Sequence, residues 1–280
     1  MKINILVSSL LVGILPLMGL SAPDESIKDE ALYECVYEYT ISGDVQETYT
    51  AVLQIGRNLT RFYDYTLYAI DSLSFVENAP GEEKERLRGL RYTSMFFFDS
   101  DVYQNIPSGK MTVVQEAFPD KFSYEEDLGS LEWDLENVTD TICGYTCYKA
   151  VTNYGGRQWI AWFAPEIPYS AGPWKFNGLP GLVLAVKDSE GAHDFEAIAF
   201  RKGVTQISYR EDPKIHKSTR ENVLKAKLRS EKNLEAGIKP DPSQVWDYLI
   251  VMNLSGDRME YYNGIAMRSR PNGYKPLELE

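Results

Sequence analysis

The chain has 280 residues, 44% hydrophobic, 25% charged and 12% aromatic, with 29 Lys and Arg against 41 Asp and Glu. Those proportions exclude collagen-like, disordered and multi-span membrane classes, and a formal charge of −12 argues against a nucleic-acid partner, which needs a basic face. Twenty Gly and nineteen Tyr favour sheet with many turns.

Residues 1–22 read as a secretory signal peptide. Lys2 gives a short positive end, residues 5–20 are mostly apolar, and Ala22 precedes Pro23 as a small residue at a cleavage site. Pro16, Gly19 and the shortness of the run weigh against a membrane anchor. No Cys follows the run closely enough for a bacterial lipid anchor. Residues 23–280 are therefore expected to form one β-rich domain, periplasmic or secreted, with no membrane span after cleavage.

Strands are expected in chain order from period-two alternation and β-branched content. They fall at residues 31–39, at 48–55, and at 59–65 after the turn Gly56-Arg57-Asn58. A helix over 67–76 leads to a charged stretch ending at Arg91, and strands recur near Tyr103 and over 111–118, 122–126 and 131–136. Gly155-Gly156 between two β-rich runs is a strong two-residue hairpin signal. It pairs Tyr154 with Arg157, Thr152 with Trp159, Ala150 with Ala161 and Tyr148 with Phe163. Both faces of this hairpin are rich in apolar groups, so it is expected to be covered on both sides or to line a cavity. A second hairpin joins 182–187 to 193–200. Ser218-Thr-Arg-Glu221 reads as a capping box opening a helix, with Leu224, Leu228 and Leu234 as its apolar stripe, Gly237 after it and Pro240 beyond. A polar tail closes the chain.

The three cysteines, in an exported chain, suggest one disulfide and one leftover thiol. Cys143 and Cys147 would stand about 13 Å apart in an extended strand, out of bonding range unless Gly144 bends the chain. That local pair stays open, and Cys35 with Cys147 is preferred, worth about 3–5 kcal/mol. The two histidines, His193 and His216, are too few for the usual zinc site, and no H-E-x-x-H, G-x-S-x-G, Walker or dinucleotide motif is present. No metal, cofactor or catalytic set is assigned. The acids between Glu116 and Asp140 are read as a solvated face rather than a calcium site, because they lack ligand spacing.

The most unusual stretch is the Pro- and Gly-rich connection over 161–183. Read structurally, it is a rigid corner capping the sheet. Read functionally, it walls a pocket with Trp162, Trp174 and Phe176 as apolar lining and Arg157 or Lys175 as polar anchors. With Trp159 on the facing hairpin, these six residues are the candidate binding set. Gly178, Leu179, Pro180, Gly181, Leu182 and Val183 resemble the signature of the GLPGLI family of exported Bacteroidetes proteins. Gly144-Tyr-Thr-Cys147, Gly156-Arg157, Pro165-Glu-Ile-Pro168, Gly172-Pro-Trp-Lys-Phe176, Cys35-Val-Tyr37 and Pro276-Leu-Glu-Leu279 resemble the family's pattern in order and spacing. Cys143 stands outside that pattern, which supports the Cys35–Cys147 pair.

The resemblance implies export in a Gram-negative bacterium, a family without established activity, and frequent company with TonB-dependent outer-membrane transporters. By analogy the fold is expected to be α+β: a mainly antiparallel, curved sheet, a lipoprotein-carrier-like partial barrel with a few covering helices. The favoured function is non-catalytic binding or assembly of an apolar or amphipathic ligand, lipid or peptide, in the periplasm. The alternatives are an interaction module for a TonB-dependent transporter and a carboxylate-based hydrolase.

Overall fold

The computed structural model describes residues 26–73, 81–82, 98–252, 258–268, 270 and 273–279. The expected signal peptide, the end of the first helix and the charged stretch up to Arg91 lie outside the described residues. The strands are β1 (Ile27–Glu30), β2 (Tyr33–Ser42), β3 (Gln46–Ile55), β4 (Thr60–Asp64), β5 (Ser100–Gln104), β6 (Lys110–Ala117), β7 (Asp120–Asp127), β8 (Asp134–Ile142) and β9 (Tyr145–Tyr154). They continue with β10 (Arg157–Ala164), β11 (Leu182–Asp188), β12 (His193–Lys202), β13 (Gln206–Tyr209), β14 (His216–Lys217), β15 (Tyr248–Met252), β16 (Arg258–Tyr262) and β17 (Ile265–Ala266). Helices α1 (Tyr65–Leu73) and α2 (Arg220–Glu235) and a 3-10 turn at Pro242–Gln244 are also among the described elements.

Twelve strands form one sheet in the order β14-β7-β6-β5-β4-β3-β2-β12-β11-β10-β9-β8. All neighbours are antiparallel except β14 on β7. Strands β7 and β9 are nine positions apart in that order, which on a flat sheet is roughly 43 Å at the usual strand spacing. Yet Tyr154 of β9 donates a hydrogen bond to Glu126 of β7 at 2.8 Å. The sheet therefore curls until its two ends meet through side chains, without closing into a barrel. Bulges between Ala197 and Ala199, between Trp162 and Phe163, and between Glu136 and Thr139 supply local twist.

The inside of this curl is an aromatic core. Tyr39 stacks on its partner Phe195 at 4.1 Å, and Phe62 and Phe98 meet edge to face at 4.9 Å. Trp159, Trp174, Phe176, Leu179 and Leu277 belong to the same cluster, as does Val223 of α2. The loop after β10, helix α2 and the segment 273–279 thus fill the concave side. On the other side α1 rests on β3 and β4, where Tyr68 packs with Val36, Val52 and Tyr63.

The expected hairpin register is the observed one, with Tyr154 opposite Arg157, Thr152 opposite Trp159 and Tyr148 opposite Phe163. Its two faces differ, however. Arg157, Trp159, Ala161 and Phe163 are buried, while Gln158 is exposed and Ile160 and Trp162 are half-buried, because at this hairpin only the concave face is packed by the core. The strand expected over 131–136 starts later and runs on to Ile142, as an exposed edge strand. The expected polar tail contains the three-stranded sheet β15-β16-β17; β15 is an unalternated run, Tyr-Leu-Ile-Val-Met, that carries no period-two signal.

Cys35 and Cys147 are not joined: all three thiols are free, Cys35 and Cys147 buried and Cys143 exposed. Four sheet positions separate β2 from β9, and the thiol that reaches toward the middle of the sheet is Cys143, whose Sγ lies 3.0 Å from the Ala197 carbonyl oxygen. Burial pushes the Cys35 thiol up to about 12 and the Cys147 thiol up to about 11, so both stay protonated at neutral pH. Among the described residues no helix is long and apolar enough to cross a membrane.

Helix α2 begins one residue later than the capping box implies. Its N-cap is Thr219, whose side chain accepts from the Asn222 amide. The face it buries is Val223, Lys227 and Ser230 rather than the leucine stripe; Leu228 is exposed. Lys227 turns inward because Asp99 is buried there, at 3.2 Å, and Arg270 binds the same carboxylate. Replacing Thr219 by Ala is expected to cost about 0.5–1 kcal/mol in urea unfolding, and Ser218→Ala to leave the midpoint nearly unchanged; the reverse order would restore the capping box.

Candidate functional site

The candidate residues come together around the two-residue turn Gly155-Gly156, both at positive φ (60° and 75°), as a hairpin of this type demands. Arg157, the first residue of β10, is aimed inward by that turn. Its Nη1 donates to Asp188 Oδ2 at 2.7 Å in an ion pair that is almost wholly buried. Its Nε and Nη2 both donate to the Pro276 carbonyl, at 3.0 and 2.6 Å. Asp188 uses its other oxygen to accept from the His193 amide at 2.9 Å. The guanidinium thus ties the end of β11 to the segment 273–279.

His193, at the start of β12, extends this grip. Its Nε2 faces the Lys275 carbonyl at 2.8 Å, and because a carbonyl only accepts, Nε2 carries the proton. Nδ1 then accepts from the Tyr39 hydroxyl at 2.8 Å. Burial, aided by the Arg157 charge, holds the imidazole down at about 4, so it is neutral across the physiological range.

Lys175 is the second anchor. Its side chain is 1% exposed, an expensive placement for an ammonium group unless it is well paired. Nζ donates to Glu278 Oε1 at 2.6 Å and to the Tyr154 hydroxyl at 3.0 Å, and meets Glu126 Oε2 at 2.8 Å. The rings of Tyr124 and Trp174 stand 4.8 and 5.1 Å from it, close enough for cation–π attraction. Arg220, the first residue of α2, adds a second positive charge to Glu278 at 3.2 Å. Burial alone would raise the Glu278 carboxyl, but Lys175 and Arg220 outweigh it and hold it below the usual carboxylate range. Burial pushes the Tyr154 and Tyr124 phenols up, so both stay neutral.

Trp159 and Phe176 pack at 4.9 Å, with Trp174 beside both. The Trp159 indole donates to the Tyr154 carbonyl at 3.0 Å. Trp174 has φ 51°, a left-handed conformation that bulky side chains rarely adopt; burial among these rings is what holds it. Trp162 stands apart, on the half-covered face between Lys149 and Ala185. The room between hairpin and loop that sequence reasoning assigns to a ligand is filled by the chain's own 273–279 segment, whose Leu279 amide also donates to the Gly155 carbonyl at 2.8 Å.

The signature residues form the loop's return into the sheet. Gly178 has φ 92°, Leu179, Leu182 and Val183 are buried, and Pro180 is exposed. A Cβ on Gly181 would meet the carbonyl group of Ala164, its carbon at 2.7 Å, and one on Gly172 would meet Val183 Cβ at 2.7 Å. These two glycines permit backbone approaches that no side chain allows. Asn177 locks the loop to the strand connection before β8, accepting from the Gly129 amide at 2.9 Å while its carbonyl accepts from Trp133 Nε1 at 2.8 Å.

Sequence reasoning missed Tyr124, Glu126, Tyr154, Asp188, His193 and Arg220. The advance signals were the hairpin register, which set Tyr154 opposite Arg157 without giving it a role, and the resemblance of Pro276-Leu-Glu-Leu279 to a recurrent pattern, which marks the segment but not its partners. Next to this cluster, and sharing Tyr124 and Arg220 with it, lies a recess of about 970 Å³ between β6, β7, the start of α2 and the small β1-β13 sheet. Ile27, Ile106, Pro107 and Tyr209 give it an apolar side, while Lys110, Arg210 and Lys217 join Arg220 as its cations. Among the described residues no three His, Cys, Asp or Glu side chains converge as a metal site would require.

Residues 155–185 match the model of a family described as "Protein of unknown function (Porph_ging)". The matched stretch is the hairpin turn, the Pro- and Gly-rich loop and the first half of β11, the part of the chain that holds Arg157, Trp174 and Lys175. No curated protein matches the chain. Among solved structures, "Structure of PNGF-II in P21 space group" is similar with TM-score 0.49 and 16% identity, over 72% of this chain and 34% of that one. The C2 form of PNGF-II gives TM-score 0.48 and 16% identity, over 71% and 33%. An uncharacterized conserved protein from Thermus thermophilus gives 0.33 and 8%, over 68% and 91%. The chain thus spans about a third of the length of PNGF-II.

Lys175→Met is expected to destabilise the protein by about 3 kcal/mol, because Glu278 and Glu126 lose their buried cation and keep only the partly exposed Arg220. Adding Glu278→Gln should recover part of the loss, read as the urea midpoint of the double variant against the single. His193 contributes a pH dependence of definite sign. Its folded value of about 4 lies below the ordinary 6.5, so the unfolded chain takes the proton first. Stability is complete above about 6.5 and falls as pH drops toward about 4. His193→Gln should flatten that part of the profile, and an unchanged slope would place the titrating group elsewhere.

Proposed function

We propose that the protein is a non-catalytic binding protein of the bacterial cell envelope, exported by its 1–22 leader to the periplasm or beyond. Its ligand is amphipathic, a lipid or peptide bearing an acidic group, held in the 970 Å³ recess. The carrying observation is the recess itself, where an apolar side formed by Ile27, Ile106, Pro107 and Tyr209 faces four cations and two acids, Glu125 and Glu211. Lys217 pairs with Glu211, and Lys110 and Arg220 pair with acids outside the wall, so Arg210 is the cation an incoming group meets. Its volume is at the upper end of what small-molecule sites use. Arg210 is exposed and lines the opening, so an incoming acidic group meets a charge without breaking an internal pair.

In this reading Arg157, Trp159, Trp174, Lys175 and Phe176 act on a peptide that belongs to the protein itself. They grip the 273–279 segment, and Arg220 carries that grip to the wall of the recess. The open curl of the sheet supports a likeness to lipoprotein carriers, and the 155–185 match together with the wider motifs supports membership of the GLPGLI group and its single-domain organisation. A TonB-dependent transporter as partner rests on that resemblance alone. A hydrolase finds less support. In the second recess, of about 370 Å³, three of the lining acids are held in ion pairs, Asp99 by Arg270 and Lys227, Asp101 by Arg61, and Glu116 by Lys121, while Asp120 accepts from Asn263 and Asp212 from the Lys214 amide.

Native mass spectrometry of the protein purified from its own periplasm tests the reading. An extra mass lost on organic extraction is expected. In reconstitution, an anionic amphiphile such as anilinonaphthalene sulfonate should bind the wild type and bind Arg210→Glu about tenfold more weakly, a change of about 1.4 kcal/mol. A bare mass from fresh extract, with equal dye binding by both forms, would refute the ligand site.

A further inference from the structure

The strand order leaves one long edge of the sheet open. β8 is its last strand, and residues Asp134 to Thr141 are all exposed. At the other end the sheet stops at β14, only two residues long. An antiparallel strand bonds its neighbour through alternate residues, so half of the β8 amides and carbonyls point away from β9, where an extended chain can pair with them. Beside this edge is an apolar hollow of about 510 Å³ walled by Leu135, Tyr148, Phe163, Pro165 and Pro180. Leu135 is 61% exposed and Val138 46%, on a strand whose other exposed residues are polar. Pro165 and Pro180 stand at the two ends of the locked loop, which Ile167 fastens at both sides: its amide donates to Ala164 and its carbonyl accepts from Leu182, at 3.1 and 3.0 Å.

The charge along this edge that has no counter-ion among the described residues is all negative. Glu132, Asp134, Asp140 and Glu166 are exposed and form no ion pair with another described residue. Glu136 is the paired one, to Lys149 at 3.0 Å. Two acidic edges repel, so a second copy of this chain is the wrong occupant, and the same acids favour a partner of opposite charge.

We infer that the open edge of β8 docks an extended segment of a protein partner in which apolar and basic residues alternate. Side chains of such a strand point to opposite faces in turn. One set enters the hollow beside Leu135 and Tyr148, and the other meets the acids that flank the edge. The surface is separate from the recess, and this inference does not depend on the ligand proposed for it.

The test uses the whole mature protein with a capped heptapeptide alternating lysine and valine, and its glutamate counterpart as control. Binding is followed by fluorescence anisotropy and by hydrogen exchange of β8. The lysine peptide should bind, slow exchange of amides within 134–142, and lose affinity as salt is raised. The glutamate peptide should leave exchange unchanged. Asp134→Lys with Asp140→Lys should weaken binding at least about tenfold, and Leu135→Lys, a change at an exposed position that does not enter the core, serves if the double variant fails to fold. Equal binding of both peptides, no protection of β8, or wild-type affinity in a folded variant would overturn the inference.

Discussion

A buried ammonium group organises this protein. Lys175 Nζ lies in the dry interior of the curl, where an unpaired charge would cost several kcal/mol even after relaxation. It is tolerated because Glu278, Glu126 and the Tyr154 hydroxyl converge on it from three parts of the chain. Glu126 sits on the second strand of the sheet order, Tyr154 on the eleventh, and Glu278 on the last described segment. To satisfy one cation, the two ends of a twelve-stranded sheet and the 273–279 segment must be brought together. The backbone hydrogen bonds that would have closed a barrel are replaced by a polar knot of side chains, and the sheet stays open in topology while being closed in space.

The loop that carries Lys175 is shaped for this task. Gly172 and Gly181 let its backbone press against Val183 and Ala164, and Trp174 accepts a left-handed conformation so that Lys175 can turn inward while the indole stays in the core. A second buried pair, Arg157 with Asp188, fixes the other half of the same segment through the Pro276 carbonyl, and neutral His193 takes the next carbonyl. These contacts read the segment mainly through its backbone, with a single side-chain demand at Glu278. The segment thus behaves like a bound peptide supplied in cis, and its burial turns a signature that looks like a binding motif into a locking device.

Local signals in the sequence carried much of the fold. The Gly155-Gly156 turn specified the β9–β10 register residue by residue, because a two-residue turn leaves little freedom in pairing, and the hairpin expected from 182–187 and 193–200 is the β11–β12 pair. The start of α2 was missed by one residue, since Ser218 and Thr219 are both competent caps and only tertiary placement of Val223 and Lys227 decides between them. The site was legible by residue but not by partner. Arg157, Trp174 and Lys175 stood out through their setting in the loop, whereas Glu126, Asp188 and Arg220 are ordinary charged residues in ordinary strands and helices. They become a site only through contacts between distant parts of the chain, such as the 103 positions between Lys175 and Glu278. The preferred disulfide was argued from compartment, parity and the family pattern, none of which fixes where side chains meet, and all three thiols are free.

A motif that locks the fold says little about what the protein meets, and the two surfaces open to partners lie at its margins. The recess borders the knot through Tyr124 and Arg220, and the β8 edge borders the loop through Pro165 and Pro180. Both surfaces are framed by elements the knot holds rigid, yet the residues that set their chemistry, Arg210 and Lys217 on one side and Asp134 and Asp140 on the other, contribute nothing to it. Charge at either surface can change without exposing a buried ion. The interior, where removing one partner strands another in the dry core, has no such freedom. In the proposed reading, ligand and partner preference therefore belongs to the exposed charges, and the aromatic, proline-rich signature supplies the frame on which they are displayed.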